Sequence, residues 1–276
     1  MTRRPLPGNA RPGVTKSSGA WVWLSVGVLV VVLLGGLVGA ALITGKADRY
    51  NETTLCNVKG PSAVTAILID ATDGINAVQR RAVLNRLNRI NRQLVANERV
   101  DVFEVSPTAD PLTPIFSMCR PVSADETSEL TGNRRLAQKR FDETFNPQLE
   151  SALMKLLDQR PAPNSPIIEA VRAAVVASFL ATDVPDAAPR RLVIVSDMLQ
   201  HSENISHYSG LPEFDAFKSS PAYEQTASDL TGAEVTVLYL KRPAAADSQG
   251  RRHADFWVFW FDALGADDVN SIPIEG

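Results

Sequence analysis

The chain has 276 residues, 45% of them hydrophobic, with 28 basic and 31 acidic side chains and a net charge of −3. This composition allows one sizeable folded domain and excludes a largely disordered chain. Four basic and no acidic residues lie within residues 1–19, so the remainder carries 24 basic against 31 acidic side chains. We therefore expect no nucleic-acid partner.

The first feature in chain order is an uncharged stretch over residues 19–44, within which Trp21 to Ile43 is almost wholly apolar. A membrane-spanning helix needs ~20 such residues, whereas the apolar part of a cleavable signal has only ~7–15. Residues 19–44 are therefore predicted to form an uncleaved transmembrane helix, and cleavage after its Gly/Ala-rich end is the alternative. Gly35 and Gly39 have the spacing that lets two helices pack closely, which predicts a homodimer through them.

The charges on either side of this stretch predict the orientation of the chain. Residues 1–18 are rich in proline and glycine and hold four basic side chains, whereas residues 45–49 hold two basic side chains and one acidic. Since basic residues favour the cytoplasmic side, residues 1–18 are predicted to be a disordered cytoplasmic tail of an inner-membrane protein. Residues 45–62 are predicted to be a linker, and residues 63–276 a domain in the periplasm or outside the cell.

The chain contains two cysteines, Cys56 and Cys119, and both follow the predicted membrane segment. An even number of cysteines in an oxidising compartment predicts one disulfide between them. Two buried free thiols are the alternative. Because there is no Cys-x-x-Cys sequence, neither a redox motif nor a structural zinc site is expected.

Beyond residue 62, apolar runs alternate with helical patterns. Thr65 to Ile69 is typical of a strand buried on both faces of a parallel sheet, and Arg191 to Val195 repeats its pattern. The alternation predicts an α/β fold with one doubly wound, mainly parallel sheet and helices on both faces, as in Rossmann-like domains. Further strands are predicted over 100–105, 115–119, 234–240 and 269–274, and helices over 76–94, 133–159, 167–177, 223–230 and 254–264.

Some local signals predict how these helices begin and where they break. Asn76 and Gln79 have the spacing of a capping box, and Ser165 before a proline is typical of a helix N-cap. Pro147 predicts a break or kink within residues 133–159.

Oxygen-bearing side chains follow the predicted strands. Asp70, Thr72 and Asp73 come after the first strand, Ser165 begins a helix, and Asp197 follows the later strand. Ligands in open α/β sheets bind outside the carboxyl ends of the strands, where these side chains are expected to meet. Carboxylates and hydroxyls are suitable ligands for a hard cation, so Mg²⁺ or Mn²⁺ is the predicted cofactor.

This arrangement resembles a von Willebrand factor A-like domain, whose metal-ion-dependent adhesion site combines an Asp-x-Ser-x-Ser strand end, a second-loop Ser or Thr, and a later Asp. Asp70 and Thr72 match the first element, Ser165 is a candidate for the second, and Asp197 for the third. The fifth position of the first element is Gly74, which lacks a side-chain oxygen, so Asp73 would have to substitute for it. The resemblance implies a non-catalytic domain that binds a protein partner.

Two other functions stay open at this stage. His201, four residues after Asp197, would complete a metal-dependent hydrolase together with Asp70 and Asp73. A structural subunit of an envelope assembly is the second alternative. No sequence motif of a nucleophile elbow, zinc protease or nucleotide-binding loop is present, so the chain is not expected to be an enzyme. His207 and His253 are expected to be exposed.

Overall fold

The computed structural model describes residues 19–44, 50–70, 72, 74–105, 113–127, 133–158, 162–203 and 205–276, and in the first helix it describes the side chains of residues 23–36. One compact unit ends at Arg49, and a second comprises Tyr50–Gly276. The predicted tail over residues 1–18 lies outside the described residues.

Helix α1, Gly19–Thr44, coincides with the uncharged stretch. In the part of the chain that the structure describes, no helix is both long enough and apolar enough to cross a membrane. The predicted transmembrane helix and single-pass topology are therefore not confirmed. The homodimer through Gly35 and Gly39 stays a prediction.

The second unit is built on a sheet whose described strands are β1 (Ala63–Ile69), β2 (Glu98–Glu104), β3 (Phe116–Cys119), β4 (Arg190–Ser196), β5 (Ala233–Leu240) and β6 (Asp268–Ile274). Their order is β3-β2-β1-β4-β5-β6. All neighbours are parallel except β3, which runs antiparallel to β2 at one edge. The predicted mostly parallel α/β sheet is confirmed, and its order is that of a Rossmann-like, doubly wound fold.

The described α-helices of this unit are α2 (Ala77–Gln93), α3 (Arg134–Arg140), α4 (Asn146–Leu157), α5 (Ile167–Ser178), α6 (Phe214–Lys218), α7 (Pro221–Thr226) and α8 (Arg251–Ala263). Alternate residues of β1 point to opposite faces of the sheet, as the strand period of two requires. Val64, Ala66 and Leu68 pack with α5 and α8 in one apolar cluster. Ile67 and Ile69 pack with α2 and α4 in another, so the core has two layers.

The predicted disulfide between Cys56 and Cys119 is confirmed, with the two Cα atoms 4.8 Å apart. It ties the segment before β1 to the edge strand β3. Cys119 also donates its backbone N–H to the Thr54 carbonyl at 2.7 Å, so this segment covers one end of the edge strand. The disulfide therefore protects part of an edge that would otherwise present unpaired backbone groups.

The prediction for Pro147 and the capping-box prediction for Asn76 and Gln79 have different outcomes. Pro147 lies in the first turn of α4, directly after a π-helical turn over Phe141–Phe145 that separates α3 from α4. The helical run itself continues from residue 134 to 157, so the predicted break or kink is seen only as a change from α- to π-helical hydrogen bonding before Pro147, which cannot donate a backbone hydrogen bond. Asn76 caps α2, but Gln79 donates to the Lys241 carbonyl at 2.8 Å instead of completing a capping box.

Candidate functional site at the carboxyl ends of the strands

The candidate site lies where the order of the strands reverses. The chain leaves β1 towards β2 on one side and returns to β4 on the other, so β1 and β4 are neighbours at the switch point of the sheet. Asp70 follows β1 directly and donates its backbone N–H to the Val195 carbonyl of β4 at 2.8 Å. Asp197 follows β4 directly. The prediction that these two strand ends are adjacent is confirmed.

The buried carboxylate of Asp70 is the centre of a hydrogen-bond cluster. Its Oδ1 accepts from the backbone N–H of Thr72 at 3.0 Å and from the Thr72 hydroxyl at 2.7 Å. Its Oδ2 accepts from the hydroxyls of Ser165 at 3.0 Å and Ser196 at 2.7 Å. Three separate chain segments thus satisfy one carboxylate, which stabilises a group that would be costly to bury alone.

Ser165 contributes to this cluster in place of capping α5, so the prediction of a Ser165 N-cap is wrong. The residue at the N-cap is Pro166, and it makes no side-chain capping bond. The Ile168 N–H is instead satisfied by Gln200 Oε1 at 2.9 Å. Ser165 exchanges two backbone hydrogen bonds with His201, at 2.8 and 2.9 Å, and this pairing holds its hydroxyl towards Asp70.

Asp197 is paired with an arginine. Its Oδ1 accepts from the Leu199 N–H at 3.0 Å, and its Oδ2 accepts from Arg242 Nε at 2.8 Å. The Asp197 side chain is 1% exposed and that of Arg242 is 16% exposed. Arg242 Nη1 also donates to the carbonyl of Gly74. The guanidinium therefore links the loops that follow β1, β4 and β5.

The electrostatic environment favours the neutral form of Asp197. Burial, followed by repulsion from the Asp70 carboxylate, raises the pKa of Asp197 to about 7, although Leu199 and Arg242 act in the opposite direction. Among the described residues Arg242 pairs with Asp197 and not with Asp70, so the cluster has more negative than positive charge when both acids are ionised. A proton retained near neutral pH relieves that imbalance.

The structure brings together Asp70, Thr72 and Ser165 by direct hydrogen bonds, and Asp197 is close enough to interact electrostatically with Asp70. Asp73 lies outside the described residues. Sequence reasoning missed Ser196, Arg242 and Gln249. Ser196 carried a signal, because it ends β4 directly before Asp197. No sequence signal pointed to Gln249.

The described residues do not fit a divalent cation. Mg²⁺ requires about six oxygen ligands with open lone pairs in octahedral geometry. Each carboxylate oxygen of Asp70 already accepts two hydrogen bonds, and Asp197 Oδ2 accepts from the Arg242 guanidinium. No group of three or more His, Cys, Asp or Glu side chains among the described residues could hold a metal. Binding of Mg²⁺ or Mn²⁺ stays a prediction, and this bonding pattern argues against it.

The histidines differ from expectation. His207 and His253 were expected to be exposed, but both are buried and their rings are joined by a 3.1 Å contact from Nδ1 of His207 to Nε2 of His253. The Tyr239 hydroxyl contacts His253 Nδ1 at 2.7 Å. Burial lowers the pKa of His207 to about 3 and that of His253 to about 4. His201 contacts the Ser206 hydroxyl at 2.9 Å through Nδ1.

No protein-family model matches this chain, and no curated protein matches it. Several solved structures are similar to it, including the following three. The conserved hypothetical protein BatB from Bacteroides thetaiotaomicron has 13% identity and a TM-score of 0.34, over 76% of this chain and 90% of that one. An aerotolerance-related membrane protein from Bacteroides fragilis with multiple mutations to serines has 14% identity and a TM-score of 0.30, over 76% and 91%.

The third is proximal thread matrix protein 1 from the mussel byssus, with 10% identity and a TM-score of 0.36 over 78% of this chain and 43% of that one. This chain thus spans less than half the length of the mussel protein. All three similarities have low identity and TM-scores below 0.5. The site itself is therefore the basis for a functional conclusion.

Proposed function

We propose that the chain is a membrane-anchored protein that displays a von Willebrand factor A-like domain for binding a protein partner, without catalysing a reaction. One observation carries this proposal. The polar side chains at the switch point are buried and are satisfied by one another, with Asp70 accepting four hydrogen bonds. Such groups are suited to holding the strand-end loops in a fixed arrangement that a partner can recognise.

The same bonding pattern disfavours a hydrolase. A general base or nucleophile must be within hydrogen-bond reach of the substrate, with its reactive atom available. Both oxygens of Asp70 accept from side chains or backbone, and Asp197 Oδ2 accepts from Arg242. The proposal therefore leaves out cation assistance as well as catalysis.

The proposed anchor is residues 19–44, and the proposed topology has residues 1–18 in the cytoplasm and the domain in the periplasm or outside the cell. Support for this part comes from the sequence. The stretch has no charged residue, and the basic residues lie mainly before it. We expect the full chain to resist alkaline extraction from membranes. We also expect added protease to cleave the domain only from the outer side of the membrane.

Site-specific photo-crosslinking in cells tests the interaction. A crosslinking side chain is placed in the full chain at Ala246, which is exposed in the loop after β5 and thus at the switch-point rim. The matched control is Ala187, which is exposed just before β4 at the opposite rim. We expect a discrete crosslinked protein from position 246 and none from position 187.

Two results would contradict this function. The first is equal labelling from both positions, which would show no preference for the switch-point rim. The second is metal-dependent turnover of a phosphoester by the purified full chain that is lost in Asp70→Asn, which would favour the hydrolase.

A further inference from the structure

Arg242 connects the three loops that surround the switch point. Its Nε donates to Asp197 in the loop after β4, and its Nη1 donates to the Gly74 carbonyl in the loop after β1. Arg242 itself belongs to the loop after β5. A single planar cation thus bonds to both of the other strand ends, a geometry for which the fixed fork of a guanidinium is well suited.

A second residue holds Arg242 in this position. Gln249 Oε1 accepts from the backbone N–H of Arg242 at 2.6 Å. The amide nitrogen of Gln249 donates to the carbonyls of Asp197 at 3.0 Å and Leu240 at 2.9 Å. Gln249 is itself buried. The backbone at Arg242 is therefore fixed relative to the end of β4, so the guanidinium is positioned before any ligand arrives.

The charges at the rim explain what the guanidinium does there. Asp70 and Asp197 are buried close enough for their charges to interact. A cation between their loops would lower the repulsion and would orient the backbone around it. To bind Asp70, a divalent ion would have to displace hydrogen-bond donors from its oxygens, each of which already accepts two. Arg242 lowers the repulsion while the hydroxyls of Thr72, Ser165 and Ser196 continue to satisfy Asp70.

We infer that Arg242 is a built-in cation that replaces a divalent metal at the switch point, so that the rim is assembled without metal. The inference concerns how the site is organised, and it stands whether or not the domain binds a protein. It also gives Gly74 a role. Gly74 lacks a side-chain oxygen that could bind a metal, but its backbone carbonyl accepts a hydrogen bond from the Arg242 guanidinium.

Thermal unfolding of the purified full chain tests this inference. Wild type is compared in EDTA, 5 mM Mg²⁺ and 5 mM Mn²⁺. If the chain had a metal site with a Kd near 50 µM, either metal would raise the Tm by about 5 °C. We expect the Tm to change by less than about 1 °C. Arg242→Ala is expected to lower the Tm in EDTA by about 5 °C, since it leaves Asp197 without its cation. Arg242→Lys should lie between the two, because an ammonium cannot bridge Asp197 and Gly74 in the same way.

Arg80→Ala is the matched control. It removes another arginine that pairs with an aspartate, Asp158, at 2.8 Å, but in an exposed place. Its Tm loss should be at most about 2 °C. The inference is overturned if Arg242→Ala costs no more than Arg80→Ala, or if Mn²⁺ raises the wild-type Tm saturably and Asp197→Asn abolishes the rise. If Arg242→Ala does not fold, Arg242→Lys decides the first comparison.

Discussion

Two arginines of this domain bond to aspartates inside the fold, but their surroundings differ. Arg99, in β2, donates to Asp101 at 3.0 Å, to both oxygens of Asp183 at 3.0 Å, and to the Ser178 carbonyl at 2.7 Å. The Asp183 side chain is 56% exposed, so water shares its charge. Arg99 also lies opposite Cys119 in the β2–β3 register, next to the disulfide. This half of the sheet is fixed covalently and electrostatically.

Arg242 lies at the other end of the sheet, where hydrogen bonds and its ion pair with Asp197 join the described loops. Its aspartate is fully buried, and a second buried carboxylate, Asp70, is nearby. An arginine–aspartate pair therefore does not identify a site by itself. Arg99 joins a strand to a distant loop, as a structural pair does, whereas Arg242 joins three loops at the place where α/β sheets bind ligands.

The largest expected effect is at Arg99. Arg99→Ala leaves Asp101 buried without its cation, and breaking such a pair typically costs about 4 kcal/mol of unfolding free energy. Urea unfolding of the full chain measures this loss. Arg242→Ala should cost clearly less at pH 7, because Asp197 can take up a proton when its cation is removed. Equal losses of unfolding free energy in Arg99→Ala and Arg242→Ala would contradict the proposed difference between the two regions.

The disulfide provides the next comparison. Replacing both Cys56 and Cys119 by alanine releases a cross-link between residues 63 positions apart and should cost about 3 kcal/mol. Hydrogen exchange should show faster opening of β3 and of residues 54–57, with little change in the loops around Asp70 and Asp197. Equal acceleration at both ends of the sheet would contradict the view that the disulfide fixes one region.

Two serines donate to buried aspartates, one in each region, and their removal is expected to cost different amounts of stability. Ser196 donates to Asp70 at 2.7 Å and accepts from the Met198 N–H at 2.7 Å. Ser117 donates to Asp101 at 2.6 Å and is partly buried. Ser196→Ala should therefore cost about 2 kcal/mol and Ser117→Ala about 1 kcal/mol in urea unfolding. The reverse order would mean that the Asp70 cluster contributes less to stability than its bonds indicate.

His207 and His253 form another buried polar cluster, in which no described arginine takes part, and this cluster predicts a pH effect. Folding lowers both pKa values, so the unfolded chain binds these protons first as the pH falls below about 6.5. Stability from the pair is fully present above that pH and is lost towards pH 4, by about 1 kcal/mol per histidine at pH 5.5. His207→Gln should remove half of this pH dependence between pH 7.5 and 5.5. An unchanged slope would contradict the assignment.

The strand ends could be predicted from the sequence because their signal is local. Asp70 and Asp197 each follow an apolar run directly, and parallel strands place such residues at one rim. Arg242 could not be recognised in the same way. It lies 45 residues after Asp197 at the start of an alanine-rich segment that is typical of a flexible loop. Its pairing depends on the strand order and on Gln249, neither of which a sequence pattern specifies.

The burial of the histidines was missed for a related reason. His207 lies in a polar stretch, and its environment is formed by the aromatic face of α8, including Phe256 and Trp257. Such packing between distant segments has no periodic signal. Ser165 shows the same limit, because its local sequence favours an N-cap while pairing with His201 turns it towards Asp70.

Direct counting of bound Mn²⁺ is the sharpest test of the claim that Arg242 takes the place of a metal at the switch point. Electron paramagnetic resonance of free Mn²⁺, titrated into the wild-type full chain and into Asp197→Asn, measures how many ions the protein removes from solution. The account predicts equal, undiminished free-ion signals for both proteins. Loss of one equivalent of Mn²⁺ to wild type, absent in Asp197→Asn, would contradict it.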